Sequence, residues 1–197
     1  STIMGKAMFV CASRQIAFNL YQEIIALRPE WAEVKEADDG IALTDQERKE
    51  IKPNAKIKLI ATRHKDDEKE LYDLCGTKDD RKEHDRQFKN PKSNFKIAIV
   101  VDMWLTGFDV PALNTMYTDK PMKGLNLMQA IARVNRVFKD KPGGLIVDYI
   151  GIATNLKKAL GFYAESGGKG VPAETHQKAV EIMLEKVEVV RGILHGF

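Results

Sequence analysis

Two clusters in this sequence carry the residue types that phosphate chemistry uses. The first is Asp102-Met103-Trp104-Leu105-Thr106-Gly107-Phe108-Asp109-Val110-Pro111. Within it, a hydroxyl, a glycine and a carboxylate fall inside four residues. Thr106 can donate to a phosphate. Gly107 permits a positive φ or a close backbone approach. Asp109 can accept from a ribose hydroxyl or orient a cation. The alternative is a plain turn, because Gly, Asp and Pro all populate turns. The second cluster is Gln129-Ala130-Ile131-Ala132-Arg133-Val134-Asn135-Arg136. Gln129, Arg133 and Arg136 stand at i, i+4 and i+7, which is one helical face. Two guanidiniums and an amide on one face suit a polyphosphate, since arginine makes fixed, multidentate phosphate contacts. Here the alternative is a solvated basic face at a helix C-terminus, where cations meet the dipole favourably.

Other candidates follow strand ends: Ser13 and Arg14 after the first strand, Asp148 and Tyr149 after the last. His64 and His84 lack ligand spacing to Cys75, so no metal site is expected. Gly167-Gly168-Lys169-Gly170 follows no strand and reads as a linker. Cys11 reads as a small core residue. Trp104 is either a core anchor or a stacking platform. No Walker A pattern occurs, so the sequence shows no loop of its own for β- and γ-phosphates.

The elements that must position these residues alternate between apolar runs and helix-period segments. Residues 7–12, 57–61, 95–101, 115–117 and 145–150 read as strands. The run at 95–101 is nearly continuous and β-branched, as a strand buried on both faces should be. Ile16, Leu20, Ile24 and Leu27 mark one face of a helix that Pro29 stops. Residues 63–92 read as one or two solvated helices split near Gly76, with Leu71, Leu74 and Phe88 as anchors. Residues 125–138 form a helix with Leu127, Ile131 and Val134 inward, and another helix spans 152–163. The polar stretch 34–54 reads as an insertion or irregular loop. Alternation of this kind predicts an α/β fold, a parallel sheet flanked by helices. Ligands of such sheets bind beyond the carboxyl ends of the strands. Residues 1–164 are expected to form that domain. Residues 165–197 are expected to be a linker and an amphipathic helix that begins a following helical region.

Composition narrows the partners. With 31 Lys+Arg against 28 Asp+Glu in 197 residues, the net charge is only +3. A blanket cationic shell for nucleic acid is excluded, so any such contact needs a local patch. Residues 120–141, with six basic groups and one acid, are such a patch. A globular balance of 44% hydrophobic and 30% charged residues excludes a wholly disordered chain. Two cysteines cannot build a disulfide framework and fit a reducing cytosol. No apolar run reaches the about 18 residues of a membrane span, and the start lacks a signal peptide's apolar region. A cytoplasmic location is expected.

Residues 100–111 resemble motif V of superfamily 2 helicases, and 129–136 resemble their motif VI. The Met-Trp-Leu-Thr-Gly-Phe-Asp wording, Leu-Asn-Thr-Met-Tyr, Leu-Met-Gln-Ala and Gly-Gly-Leu-Ile-Val-Asp-Tyr-Ile-Gly are similar to the motor (R) subunit of type I restriction enzymes. The resemblance is strong over 95–151 and looser over 7–14, where Phe-Val-Cys-Ala-Ser-Arg sits like motif IV. It implies a RecA-like domain, the second of two that close on ATP. Arg136 would be the arginine finger, Arg133 would assist it or pair with a carboxylate at the interface, and Gln129 would organise that face. Gly107 and Asp109 would lie near the ribose. Ser13, Arg14 and Thr106 would touch the DNA backbone. ATP and Mg²⁺ would be held mainly by the first motor domain, which would also carry the Walker A. The implied partners are duplex DNA, that first domain, and the methyltransferase (M) and specificity (S) subunits. The family often has a further His or Arg beside the motif VI glutamine, whereas here Ala130 and Ala132 flank the site. Two rival readings are another superfamily 2 DNA helicase and a non-catalytic nucleic-acid-binding α/β module.

Overall fold

The computed structural model describes residues 5–37, 41–105, 107–135 and 143–151. Five strands, β1 (Lys6–Cys11), β2 (Ile57–Ile60), β3 (Ile97–Val100), β4 (Leu113–Asp119) and β5 (Leu145–Asp148), form one sheet in the order β2-β3-β1-β4-β5. Every pairing is parallel. The helices are α1 (Arg14–Leu27), α2 (Asp45–Glu50), α3 (Lys69–Cys75), α4 (Lys78–Lys89) and α5 (Gly124–Val134). This is the expected α/β architecture. The helices at 152–163 and 173–194, with the linker between them, lie outside the described residues, as do Thr106 and Arg136.

Alternation along the strands splits the core in two. Met8, Val10, Ala98, Val100 and Met116 face α4 and α5, where they meet Phe88, Leu127, Ile131 and Val134. Cys11, Ile57, Leu59 and Ile99 face α1 and α3, where they meet Ala17, Phe18, Leu71 and Cys75. Burial from both sides explains the apolar runs of β1 and β3. Lys6, only 1% exposed, opens β1. Its ammonium donates to the carbonyls of Phe95 at 2.8 Å and Gln87 at 3.2 Å and lies 5.0 Å from the Phe88 ring centre. Burial, then the charge of Lys96, push its pKa down to about 6.

Three expectations need correction. In α1 the buried face is Ala17 and Phe18, flanked by Leu20, Tyr21, Ile24 and Ile25, whereas Ile16 is 42% and Leu27 76% exposed. The apolar stripe is wider than the four-residue ladder: Leu20 and Ile24 stay against the core, and Ile16 and Leu27 do not. Residues 34–54 are not merely irregular. They carry α2, started by a capping box in which Thr44 and Glu47 satisfy each other's backbone N–H, and bridges Lys35–Asn54 and Ala37–Ser93 pin their ends. Finally, β4 is seven residues long rather than three. The split between α3 and α4 does fall at Gly76, whose φ is +61°.

Candidate functional site

The loop from β3 to β4 does not stay at the carboxyl edge of the sheet, where a strand-end loop is expected. It starts there: Asp102 is exposed and ion-paired with Lys120, just past the end of β4. The same ammonium donates to the Val101 carbonyl at 3.2 Å. The chain then crosses the α4–α5 face toward the amino edge. Trp104 and Phe108 are 8% and 5% exposed, and their rings stack at 4.2 Å and 8°. Trp104 also stacks on Phe88 at 5.3 Å. The ammonium of Lys89, the last residue of α4, lies 4.8 Å from the Phe108 ring centre. By Val110 the loop has reached the start of β4, where Leu113 N–H donates to the Val110 carbonyl at 2.9 Å. Lys6 N–H, at the start of β1, donates to the Ala112 carbonyl at 2.9 Å.

The loop therefore alternates. Trp104, Phe108 and Val110 point into the core, and Gly107 and Asp109 are exposed. Gly107 has φ +68°, and nothing lies within 4 Å of where its Cβ would be. Trp104 has φ +66°, rare for a bulky residue, and its aromatic neighbours hold it there. Of the two roles open to Trp104, the structure gives it the core.

Gln129 and Arg133 sit one turn apart on α5 and are half-buried, while Ala130, between them in sequence, is fully buried. The helix is antiparallel to the strands, so Arg133 lies near the amino end of β5. A Cβ on Gly144 would sit 2.2 Å from Val134, so only glycine lets the chain pass the end of α5 there. The buried side chains of the loop and of α5 share one core. Gly107 and Asp109 lie on the part of the loop that leads to the start of β4, and Arg133 lies in the last turn of α5. Arg136 follows beyond the described residues.

Ser13 and Arg14 are at the opposite edge. Ser13 caps α1, its Oγ accepting from Ile16 N–H at 3.2 Å, which leaves its own O–H as a donor. Arg14 forks onto Asp67, Nη1 to Oδ1 at 2.7 Å and Nη2 to Oδ2. His64 N–H donates to Oδ2 of the same carboxylate at 2.7 Å. Asp67 is 7% exposed in its side chain, and the Arg14 fork, then the His64 N–H, hold its pKa down at about 2. The guanidinium is thus engaged inside the domain. The loop after β2, with exposed Thr62, His64 and Lys65 and the half-buried Arg63, reaches this same edge. Sequence reasoning passed over it, although the strand-end rule applies to β2 as well.

A family model for domain 3 of the type I restriction enzyme subunit R matches residues 4–151. The chain belongs to that family. The HindI endonuclease subunit, a type I restriction enzyme subunit of Haemophilus influenzae, is 47% identical over 192 residues, 96% of this chain and 17% of that protein. A proposed type I endonuclease subunit of Methanocaldococcus jannaschii, MjaIXP, is 43% identical over 93% of this chain and 15% of that protein. The chain thus spans about a sixth of the length of these relatives. Among solved structures, a fragment of a proposed HsdR subunit from Vibrio vulnificus YJ016 is 15% identical, with a TM-score of 0.47 over 88% of this chain and 27% of that one. The C-terminal domain of S. cerevisiae Dbp5 is 14% identical, with a TM-score of 0.46 over 95% of this chain and 85% of that one. The assignment rests on the family match and not on these likenesses.

Proposed function

We propose that residues 1–164 are the second RecA-like motor domain of a type I restriction enzyme R subunit, an ATP-dependent DNA translocase and endonuclease. Residues 165–197 lead into a following helical region. The observation that carries this reading is the family match over 4–151, on a fold whose 102–111 loop runs from one edge of the sheet to the other. Family membership favours restriction over another superfamily 2 helicase or a non-catalytic binding module.

In this reading the amino-edge side serves the nucleotide. Arg136 is the finger, Arg133 assists it, Gln129 orders the face, and Gly107 with Asp109 approaches the ribose. The exposed Asp109 and the open space over Gly107 fit a hydroxyl-bearing ligand. In this reading the triphosphate and Mg²⁺ belong mainly to the first motor domain. ATP supplies the phosphoryl group whose transfer the arginine would stabilise. The carboxyl edge serves the DNA backbone through Ser13, with Arg14 held by Asp67 at the same border, and Thr106, outside the described residues, is a further backbone contact in this reading. The 102–111 loop, tied by Lys120 at its start and by the Trp104–Phe108 stack, links the two sides. The remaining partners are the M and S subunits, in the cytoplasm.

The test is DNA-stimulated ATP hydrolysis by the complete R subunit assembled with M and S on recognition-site duplex. Arg136→Ala is expected to lower turnover by about 10³-fold or more, the scale of an arginine finger, with ATP binding retained. Undiminished turnover would make the face at 129–136 structural.

A further inference from the structure

Burial accounts for the ring of Trp104 but not for its backbone. A tryptophan can reach a core from ordinary extended or helical backbone, whereas φ +66° is a strained setting for a bulky side chain. A second positive φ follows at +68°, and there the sequence uses glycine, Gly107. What the strained residue does is visible in its neighbours. Met103, Trp104 and Leu105 all pack on one core cluster. Successive residues of an extended strand point to opposite sides, so consecutive residues on one core require the chain to turn between them. Met103 and Trp104 are that turn. The Trp104 ring then ties down the segment that follows. It stacks on Phe108 at 4.2 Å and 8°, and on Phe88 of α4 at 5.3 Å and 25°. The Lys6 ammonium lies 5.0 Å from the Phe88 ring centre, and that of Lys89 lies 4.8 Å from the Phe108 ring centre. The stack is thus held from β1 and from the end of α4. Asp109 is exposed between Phe108 and Val110, which are 5% and 3% exposed.

We infer that Trp104 is a positioning residue, which acts through Phe108 to fix the direction in which Asp109 meets the nucleotide. This role rests on the one given to Asp109 under the proposed function and adds the residue that sets its aim. Trp104 itself touches no ligand. Its left-handed turn delivers the ring to Phe88, and the ring fixes Phe108. Phe108 and Val110, buried on either side of Asp109, then hold the Asp109 backbone from both directions. A carboxylate held this way meets a ribose hydroxyl without first being ordered, and loses that advantage when the stack is loosened. Strain that the surroundings over-determine is the backbone signature of such a segment.

The test is a double-mutant cycle in the complete R subunit, assembled with M and S on recognition-site duplex and read as kcat/KM for ATP. Every variant is assayed below the lowest melting midpoint of the set. Trp104→Leu keeps an apolar side chain without a ring to stack, and should lower kcat/KM by about tenfold, as Asp109→Ala should. Trp104→Phe supplies a ring again and should stay within about threefold of the parent. Trp104→Leu combined with Asp109→Ala should cost no more than about tenfold, because both changes remove one contact. A loss of about a hundredfold in the pair, the product of independent effects, would overturn the inference. Parental kinetics in either single variant, or equal losses in the Leu and Phe variants of Trp104, would overturn it too. If Trp104→Leu does not fold, Phe108→Leu runs the same cycle from the other end of the stack. Arg136→Ala in the same assay keeps the two failures apart. Where it loses turnover and the pair is multiplicative, Trp104 is a core residue only and the motor reading stands. Where it keeps parental turnover, the motor reading falls and the role of Trp104 falls with it.

Discussion

At the carboxyl end of the sheet, Arg14 is forked onto Asp67 and Lys120 is paired with Asp102. Toward the amino end, the loop that begins at Asp102 buries Trp104, Phe108 and Val110 and turns Gly107 and Asp109 outward. The first region uses its charges to join neighbouring loops to one another. The second uses apolar side chains as anchors and presents its polar groups at the surface. Charges locked in pairs stabilise loops, whereas groups presented from a rigid apolar base can meet a ligand without reorganising it. Motif-bearing residues at the two edges therefore differ in setting: Arg14 is tied to Asp67, and Asp109 is exposed on a loop with an apolar base.

Substitutions should separate the two. Trp104→Ala removes the ring that anchors the crossing loop and should cost about 3–5 kcal/mol in urea unfolding. Trp104→Gly should recover about 1 kcal/mol of that, because glycine accepts the +66° φ without strain. If both variants unfold like the parent, the loop has another anchor.

Asp67→Asn should cost about 1–2 kcal/mol, because it leaves a part-buried guanidinium with a neutral partner. The latch also sets an acid limit. The Asp67 carboxyl titrates at about 2 when folded, below its ordinary 3.8. Its contribution is therefore present above about pH 4 and is lost as pH falls through 2. Acid unfolding of Asp67→Asn should lack that portion of the slope, and an unaltered profile would show that the pair contributes nothing.

Gly107→Ala should cost about 1 kcal/mol from backbone strain alone, since no atom stands where the Cβ would go. Lys120→Met sits lowest, at about 1 kcal/mol or less, because its partner Asp102 is 80% exposed. A larger loss would mean that the clamp on the Val101 carbonyl, and not the ion pair, holds the loop's start.

Much of this was legible in the sequence, and the illegible parts have identifiable causes. Strands β1, β2, β3 and β5 announce themselves as apolar runs, and Leu127, Ile131 and Val134 face inward as their spacing requires. The inward face of α1 was misjudged because its apolar stripe is wider than the four-residue ladder, and Ile16 and Leu27 fall outside the core. The Thr44–Glu47 capping box was present in sequence, but in a polar stretch without apolar period it marks a helix that buries nothing. The latch joins residues 53 apart in sequence, and no local pattern reveals such a pair. The loop at 102–111 was recognised by its motif, yet its path to the amino edge depends on the stacking of Trp104 on Phe88, which no spacing encodes. Strand-end reasoning places the start of a loop and leaves its destination open.

The central proposal is that Asp109 of the crossing loop acts on the nucleotide. Asp109→Ala, introduced into the R subunit assembled with its M and S partners on recognition-site duplex, tests it most directly when ATP turnover and melting are measured on the same preparation. The account predicts turnover reduced by about tenfold or more, the scale of a lost charged contact, with the melting midpoint within about 2 °C of the parent. Parental turnover, or a loss that follows unfolding, would contradict it.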